Sequence, residues 1–259
     1  GWGQHGPLAQ AAGHDLNYIA LSGALWFSGE AGQPPMAPPT LVGDLGGGAL
    51  YLAMGILAGI ISAGTNGIGQ VVDAAIVDGS ANLMNLLLSA HSAGQQPLER
   101  GCGLLDGAHW ARTYACADGL FISVQALEPQ FNALLFNKLG LGEDVDFKSP
   151  YDPRLWGTLR KRLAAVFASQ PRQHWVDLLE GSDACFAPVL TPAEALTHPH
   201  MLERGVYSRE GGVLQAAPAP RFSSTPSSAG AVPKRGEHTL QILQKTGLSD
   251  AQVERLTHA

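Results

Sequence analysis

The chain has 259 residues, 45% hydrophobic and 15% charged, which allows a sizeable core in one large or two modest domains and marks a globular rather than a disordered protein. A formal charge of -6 leaves no basic surplus for tracking phosphates, so nucleic acid is not an expected partner. Cys102, Cys116 and Cys185 are far apart, odd in number and form no CxxC pair; they point to a reducing, cytoplasmic setting with no metal site.

The first residue is Gly1 rather than Met, and the N-terminus lacks the order of a signal peptide. Gly1, Gly3 and Gly6 fit a GxGxxG spacing, but no strand precedes them and Pro7 follows, so the dinucleotide context is missing. From Asp15, the apolar positions Leu16, Ile19, Ala20, Leu21, Ala24 and Leu25 recur at helical spacing, and the helix starts beside His14. Residues 28–39 carry Pro34, Pro35, Pro38 and Pro39 and read as a loop. Asp44 then precedes Gly46, Gly47 and Gly48 and an apolar helix through about Ser62, which places it at or beside an N-cap. The apolar stretch 49–61 is too short to cross a bilayer and holds Gly55 and Gly59; it reads as a buried core helix, and no membrane span is expected.

Residues 70–77 read as a buried strand, and Asp78, Gly79 and Ser80 start a helix to about His91 with Leu83, Leu86 and Leu87 inward. Residues 120–127 form a β-rich run that ends at Glu128, where Pro129 suits the first position of a helix. Amphipathic helices are predicted near 155–169 and 171–180, with a short strand at 185–190. His198 and His200 flank Pro199, but Glu194 and Glu203 complete no standard ligand motif with them. Residues 216–234 have linker composition, and Ser249 with Gln252 makes a capping-box pattern for a last helix. The alternation favours α/β in the first part and mixed α+β in the middle.

Three ionisable residues, His14, Asp44 and Glu128, fall at predicted helix starts. The positive end of a helix disfavours imidazolium and favours carboxylate, and it leaves N–H groups for a developing oxyanion. Position alone leaves the alternatives open: an Asp before a helix serves as a cap, and a Glu before Pro as a solvated loop carboxylate.

The segment GHDLNYIALSG at 13–23 resembles the signature of the α-methylacyl-CoA racemases within the family III CoA-transferase superfamily. GWGQ at 1–4 with Gly6-Pro7, LVGDLGGG at 41–48, GQVVDA at 69–74 and LDG at 105–107 resemble that family too. So do YACADG at 114–119, EPQF at 128–131, SDAC at 182–185 and PAPRFS at 218–223, which extends the likeness along almost the whole chain. The resemblance implies that His14 and Asp44 are the opposed acid/base pair and that Glu128 pairs with the histidine. Inversion at an α-carbon needs a base on each face, which suits this pair. N–H groups at the helix start after Asp44 are candidates to hold the enolate oxygen. No cofactor is implied, since CoA is part of the substrate.

The resemblance further implies an α/β fold: a Rossmann-like large domain whose N-terminal part is missing from this chain, with a smaller α+β domain, in an interlocked homodimer. Residues 1–95 would be the remainder of the CoA-binding large domain, 100–215 the small domain, and 216–259 a linker with helices returning to the large domain. The partners implied are an acyl-CoA and a second subunit. The family often has Asn where this chain has Thr40, which bears on the hydrogen bonding around Asp44. Two other readings remain: a family III CoA-transferase in which Asp44 is the nucleophile, and an inactive remnant whose CoA pocket is incomplete and whose apolar helix at 49–61 is uncovered.

Overall fold

A computed structural model of the chain describes residues 1–257, which fall into two compact units meeting at Val189 and Leu190. In the first unit, α1 (Asp15–Ser22) begins where the apolar period predicts, with His14 as its extended N-cap residue and Gly23 closing it at φ 90°. The proline-rich loop carries no regular structure beyond turns. From Leu41 to Ala49 the chain winds as a π-helix that runs directly into α2 (Leu50–Asn66); α3 (Ile76–Leu83) and α4 (Asn85–Ser92) follow.

Glycines set how closely α1, the π-helix and α3 approach. A Cβ on Gly79 would lie 1.8 Å from the Gly47 carbonyl oxygen, and one on Gly47 would lie 2.7 Å from Ser80 N. The two backbones therefore touch, as they can only without side chains between them. Ser80 is fully buried at this seam. Its hydroxyl donates to Ile76 O at 2.7 Å and meets the Ser22 hydroxyl at 2.8 Å. Ile19 of α1 completes the contact, fully buried.

Four expectations are corrected here. The helix starts at Leu41, so Asp44 is not a cap; Thr40 is the N-cap residue. Residues 68–75 form no regular element and enter no ladder, and α3 already begins at Ile76. A strand needs a neighbour, and among the described residues the long-range hydrogen bonds of this segment are Val77 N–H donating to Gly1 O and Gln4 N–H donating to the Asp73 carboxylate, which make no ladder. The helix expected to reach His91 is interrupted at Met84, and Leu83 and Leu86 are exposed rather than inward. Finally, α2 is not buried within this chain: none of its residues is buried, and Leu50, Met54, Leu57, Ile60 and Ile61 are exposed in it. Its close neighbour is Val72, against which a Cβ on Gly55 would stand 2.6 Å away. Continuous with the π-helix it makes a 26-residue helix, Leu41–Asn66, within which an 18-residue stretch has mean hydropathy 1.8 and is 11% buried. That is long and apolar enough to cross a membrane by length and composition, criteria that a helix covered by protein meets equally.

The rest of the first unit packs around a sheet. Its elements in order are β1 (Ala111–Ala115), β2 (Phe121–Gln125), α5 (Pro129–Lys138), α6 (Pro153–Phe167), α7 (Arg172–Leu179) and β3 (Phe186–Val189). The strands form an antiparallel sheet in the order β1-β2-β3, with Tyr114 opposite Ile122 and Ile122 opposite Pro188. Ile122 and Val124 alternate inward from β2. They meet the stripe Trp156, Leu159, Leu163 and Phe167, spaced so that one face of α6 is buried throughout. Each such side chain contributes about 1.5–3 kcal/mol of burial. The indoles of Trp110 and Trp156 both donate to Pro150 O, at 3.0 and 2.8 Å, so the buried N–H groups are satisfied.

The second unit holds α8 (Pro192–Ala195), α9 (Pro199–Glu203), the hairpin of β4 (Tyr207–Glu210) and β5 (Val213–Ala216), α10 (Thr239–Lys245) and α11 (Asp250–Thr257). A capping box opens α8, where Thr191 and Glu194 exchange side-chain-to-backbone hydrogen bonds at 2.8 and 3.2 Å. At α11, Ser249 N–H donates to Gln252 Oε1 at 2.9 Å, as the sequence pattern predicts. Helices and strands of both units make the fold mixed α/β.

Candidate functional site

His14 is exposed at the start of α1, and its N–H donates to Asn17 Oδ1 at 3.1 Å, which fixes the first turn. Tyr18 holds the entering chain by donating its hydroxyl to Gly13 O. Its ring also meets Trp2 edge-on at 4.6 Å. The residue that ties this turn to the π-helix is Asp15. One of its oxygens accepts from Asp44 N–H at 2.9 Å and the other from Thr40 N–H at 3.2 Å. Gly43 leaves room for that carboxylate, since a Cβ there would stand 2.3 Å from Asp15 Oδ1 and 2.9 Å from Ile19 Cγ2. His14 and Asp44 are thereby joined through a single side chain, and that side chain belongs to the residue after the histidine.

Asp44 is half-buried in the fourth position of the π-helix, and its side chain caps nothing. The capping alternative for Asp44 therefore falls. The N–H groups after it also fall as oxyanion donors. Leu45 N–H donates to Thr40 O at 3.0 Å, and Leu50 N–H donates to Leu45 O in the same wide-turn pattern. At the start of α1, by contrast, the N–H groups of Asp15 and Leu16 have no acceptor among the described residues. Thr40 starts the π-helix at φ 64°, a left-handed conformation in which Asn is at ease and a β-branched side chain is strained. The local backbone thus supplies a reason for an Asn at this position.

Glu128 stands elsewhere, as the exposed N-cap residue of α5 between β2 and that helix. It makes no side-chain cap, and no hydrogen bond or ion pair joins it to His14 or Asp44 among the described residues of this chain. Its neighbours are Tyr151, whose hydroxyl donates to Leu127 O at 2.8 Å, and Cys185. Burial first, and the Glu128 charge second, push both the Tyr151 phenol and the Cys185 thiol up. A cleft of about 460 Å³ opens along the same helix, walled by Pro129, Asn132, Phe136, Phe147 and Tyr151.

The loop between α1 and the π-helix is tied to the sheet region by two arginines. Arg100 donates to Ser28 O at 3.0 Å and Gln33 O at 2.6 Å, and lies over the Trp26 ring at 5.3 Å. Arg112 pairs with Glu30 and donates to Asp106 O. Asp106 in turn accepts from Gly101 and Gly103 N–H at 2.7 and 2.8 Å. Sequence reasoning missed Asp15, because an acidic residue in a first helical turn ordinarily serves only the helix dipole. Its long-range partners at positions 40 and 44 leave no trace in local spacing.

The profile of CoA-transferase family III matches residues 1–239. The chain is 40% identical to the mouse alpha-methylacyl-CoA racemase over 260 residues, covering 99% of this chain and 68% of that protein. It is 39% identical to the human alpha-methylacyl-CoA racemase with the same coverage. A CAIB/BAIF family protein from Brucella suis shares the fold at a TM-score of 0.73 and 22% identity, over 95% of this chain and 66% of that one. The chain thus spans about two thirds of the length of the proteins it matches. With the family profile covering so much of it and relatives near 40% identity along nearly its full length, this chain belongs to CoA-transferase family III.

Proposed function

We propose that the chain carries the acid/base machinery of a racemase that inverts the α-carbon of 2-methylacyl-CoA thioesters, with His14 and Asp44 as the opposed bases. The observation that carries this reading is the Asp15 bridge, which holds the histidine turn against the start of the π-helix. One base takes the α-proton from one face, the electrons move onto the thioester oxygen as an enolate, and the other base, in its acid form, returns a proton to the opposite face. The thioester oxygen accepts from the open N–H groups at the start of α1, where one well-placed donor is worth about 10² to 10³ in rate. CoA enters as part of the substrate, and the chemistry calls for no further cofactor.

Glu128 is assigned to orient and charge-balance a histidine. Among the described residues its carboxylate caps no helix, which leaves it available to a histidine of another subunit, as an interlocked homodimer would supply. In the same reading, residues 1–95 belong to a Rossmann-like CoA-binding domain and 100–215 to a small domain, in a cytoplasmic enzyme of fatty-acyl metabolism. The test is a single enantiomer of a 2-methylacyl-CoA in deuterium oxide. Loss of optical activity with deuterium uptake at the α-carbon is expected, without any carboxylate acceptor. Acyl exchange that requires an acceptor, with no α-deuterium, would instead make Asp44 a nucleophile and the chain a CoA-transferase.

A further inference from the structure

We infer that Asp15 is a positioning residue for the proposed reaction: its carboxylate sets the separation of the two bases by gripping the backbone of the π-helix that carries Asp44. The inference rests on the reading of His14 and Asp44 as that pair. Three observations support it. Both carboxylate oxygens are used, on N–H groups from two positions, Thr40 and Asp44, that flank the first turn of the π-helix. Those positions are 25 and 29 residues from Asp15 in sequence, so the grip is tertiary and not a local cap. The cavity for the carboxylate is shaped by Gly43, which is buried and where a single Cβ would overlap Asp15 Oδ1 at 2.3 Å.

A carboxylate suits this task for a chemical reason. Two backbone donors converge on one side chain, and only a group with acceptor capacity on both oxygens satisfies both. An amide in its place turns one end into a donor and sets N–H against N–H. Because Asp15 follows His14 directly, any tilt of the first turn of α1 moves the imidazole and the carboxylate together. The grip therefore fixes the histidine relative to Asp44 more tightly than either helix alone would. A displacement of about 1 Å in a reacting group costs on the order of 10²-fold in rate.

The test compares Asp15→Asn and Gly43→Ala with wild type and with His14→Ala. Readouts are kcat and KM for inversion of a 2-methylacyl-CoA, thermal unfolding, and amide hydrogen exchange at Asp44. Asp15→Asn removes the grip along with its charge; Gly43→Ala keeps the charge and displaces the carboxylate. Both variants are expected to lose about 10²-fold in kcat, with KM changed less than about threefold. Amide protection at Asp44 is expected to drop in both, and Asp15→Glu is expected to recover part of kcat. If Asp15→Asn is slow but Gly43→Ala turns over normally, the charge and not the position matters, and the inference is wrong. Normal kcat in both also overturns it, as does unchanged Asp44 protection. If His14→Ala inverts the α-carbon like wild type, the reading of the site fails, and amide protection alone then decides whether Asp15 grips the π-helix.

Discussion

His109 offers the sharpest electrostatic test of the fold. It is fully buried, and neither ring nitrogen has a hydrogen-bond partner among the described residues. It stacks on Phe136 at 5.6 Å and meets Phe147 edge-on at 5.8 Å. Burial, and second the charge of Arg160, lower its pKa from 6.5 to about 4. The unfolded chain therefore takes up a proton at this site at a higher pH than the folded chain does. Above about pH 6.5 neither state is protonated and the site is neutral to stability. As pH falls from 6.5 to about 4, stability is lost at about 1.4 kcal/mol per pH unit, reaching about 3 kcal/mol before the folded form also titrates. Asp144 is held below the usual carboxylate range by its hydrogen bond to Arg162, and Asp152 by Arg154, so their contributions are lost at lower pH, below about 4. The assay is urea unfolding between pH 7 and 4.5 followed by tryptophan fluorescence, which Trp110, Trp156 and Trp175 of this core report. His109→Leu is expected to flatten the curve. At pH 7 its stability should lie within about 2 kcal/mol of wild type, because it loses a ring stack but relieves buried nitrogens. Parallel wild-type and variant curves would refute the assignment of the slope to His109.

Three further outcomes are expected. Gly79→Ala puts a Cβ 1.8 Å from Gly47 O, so the seam of α3 and the π-helix must open; chemical denaturation should show a loss of at least about 2 kcal/mol. Thr40→Asn relieves a β-branched residue at φ 64° and should raise stability by about 1 kcal/mol with the Asp15 contact intact, measured as a shift in denaturation midpoint. In the proposed racemisation, His14→Ala and Asp44→Ala should each abolish inversion while leaving one-sided exchange from the surviving base, and Glu128→Gln should be milder. Near-wild-type inversion in all three would refute the assignment.

Legibility in the sequence follows the range of the forces involved. The starts of α1 and α5 were readable, because a helix start depends on its own few residues: His14 with its downstream apolar period, and Glu128 with Pro129. The stripe on α6 was readable for the same reason, since its period of burial is printed within one helix. The segment 70–77 and the exposure of helix α2, whose helical run is itself legible, are not. Both stretches are apolar, and apolarity states a demand for burial without naming what supplies it; β structure in particular exists only when a second segment arrives. The π-helix at Leu41–Ala49 is hidden from the sequence for a related reason. The run Gly46, Gly47, Gly48 signals close approach, but whether the approach is to a phosphate, a helix or a carboxylate depends on residues far away, here Ser80 and Gly79.

The same distinction explains why the candidate site was only partly visible. His14 and Asp44 were identified as chemical groups, but what relates them is Asp15, whose partners are distant in sequence. The site is assembled from a short helix, a strained Thr40 and a run of glycines, none of which is a strong structure former on its own. Such a region keeps its geometry through a few specific contacts and not through a large core, in contrast to the aromatic cluster around Phe147, Phe167 and Trp175. A loss of one hydrogen-bonding side chain here should therefore disturb the relative placement of the two proposed bases well before it unfolds the chain, whereas a substitution in the aromatic cluster should do the reverse. That opposition between kcat and stability across the two regions is what the proposed placement of the chemistry on the α1 and π-helix seam requires.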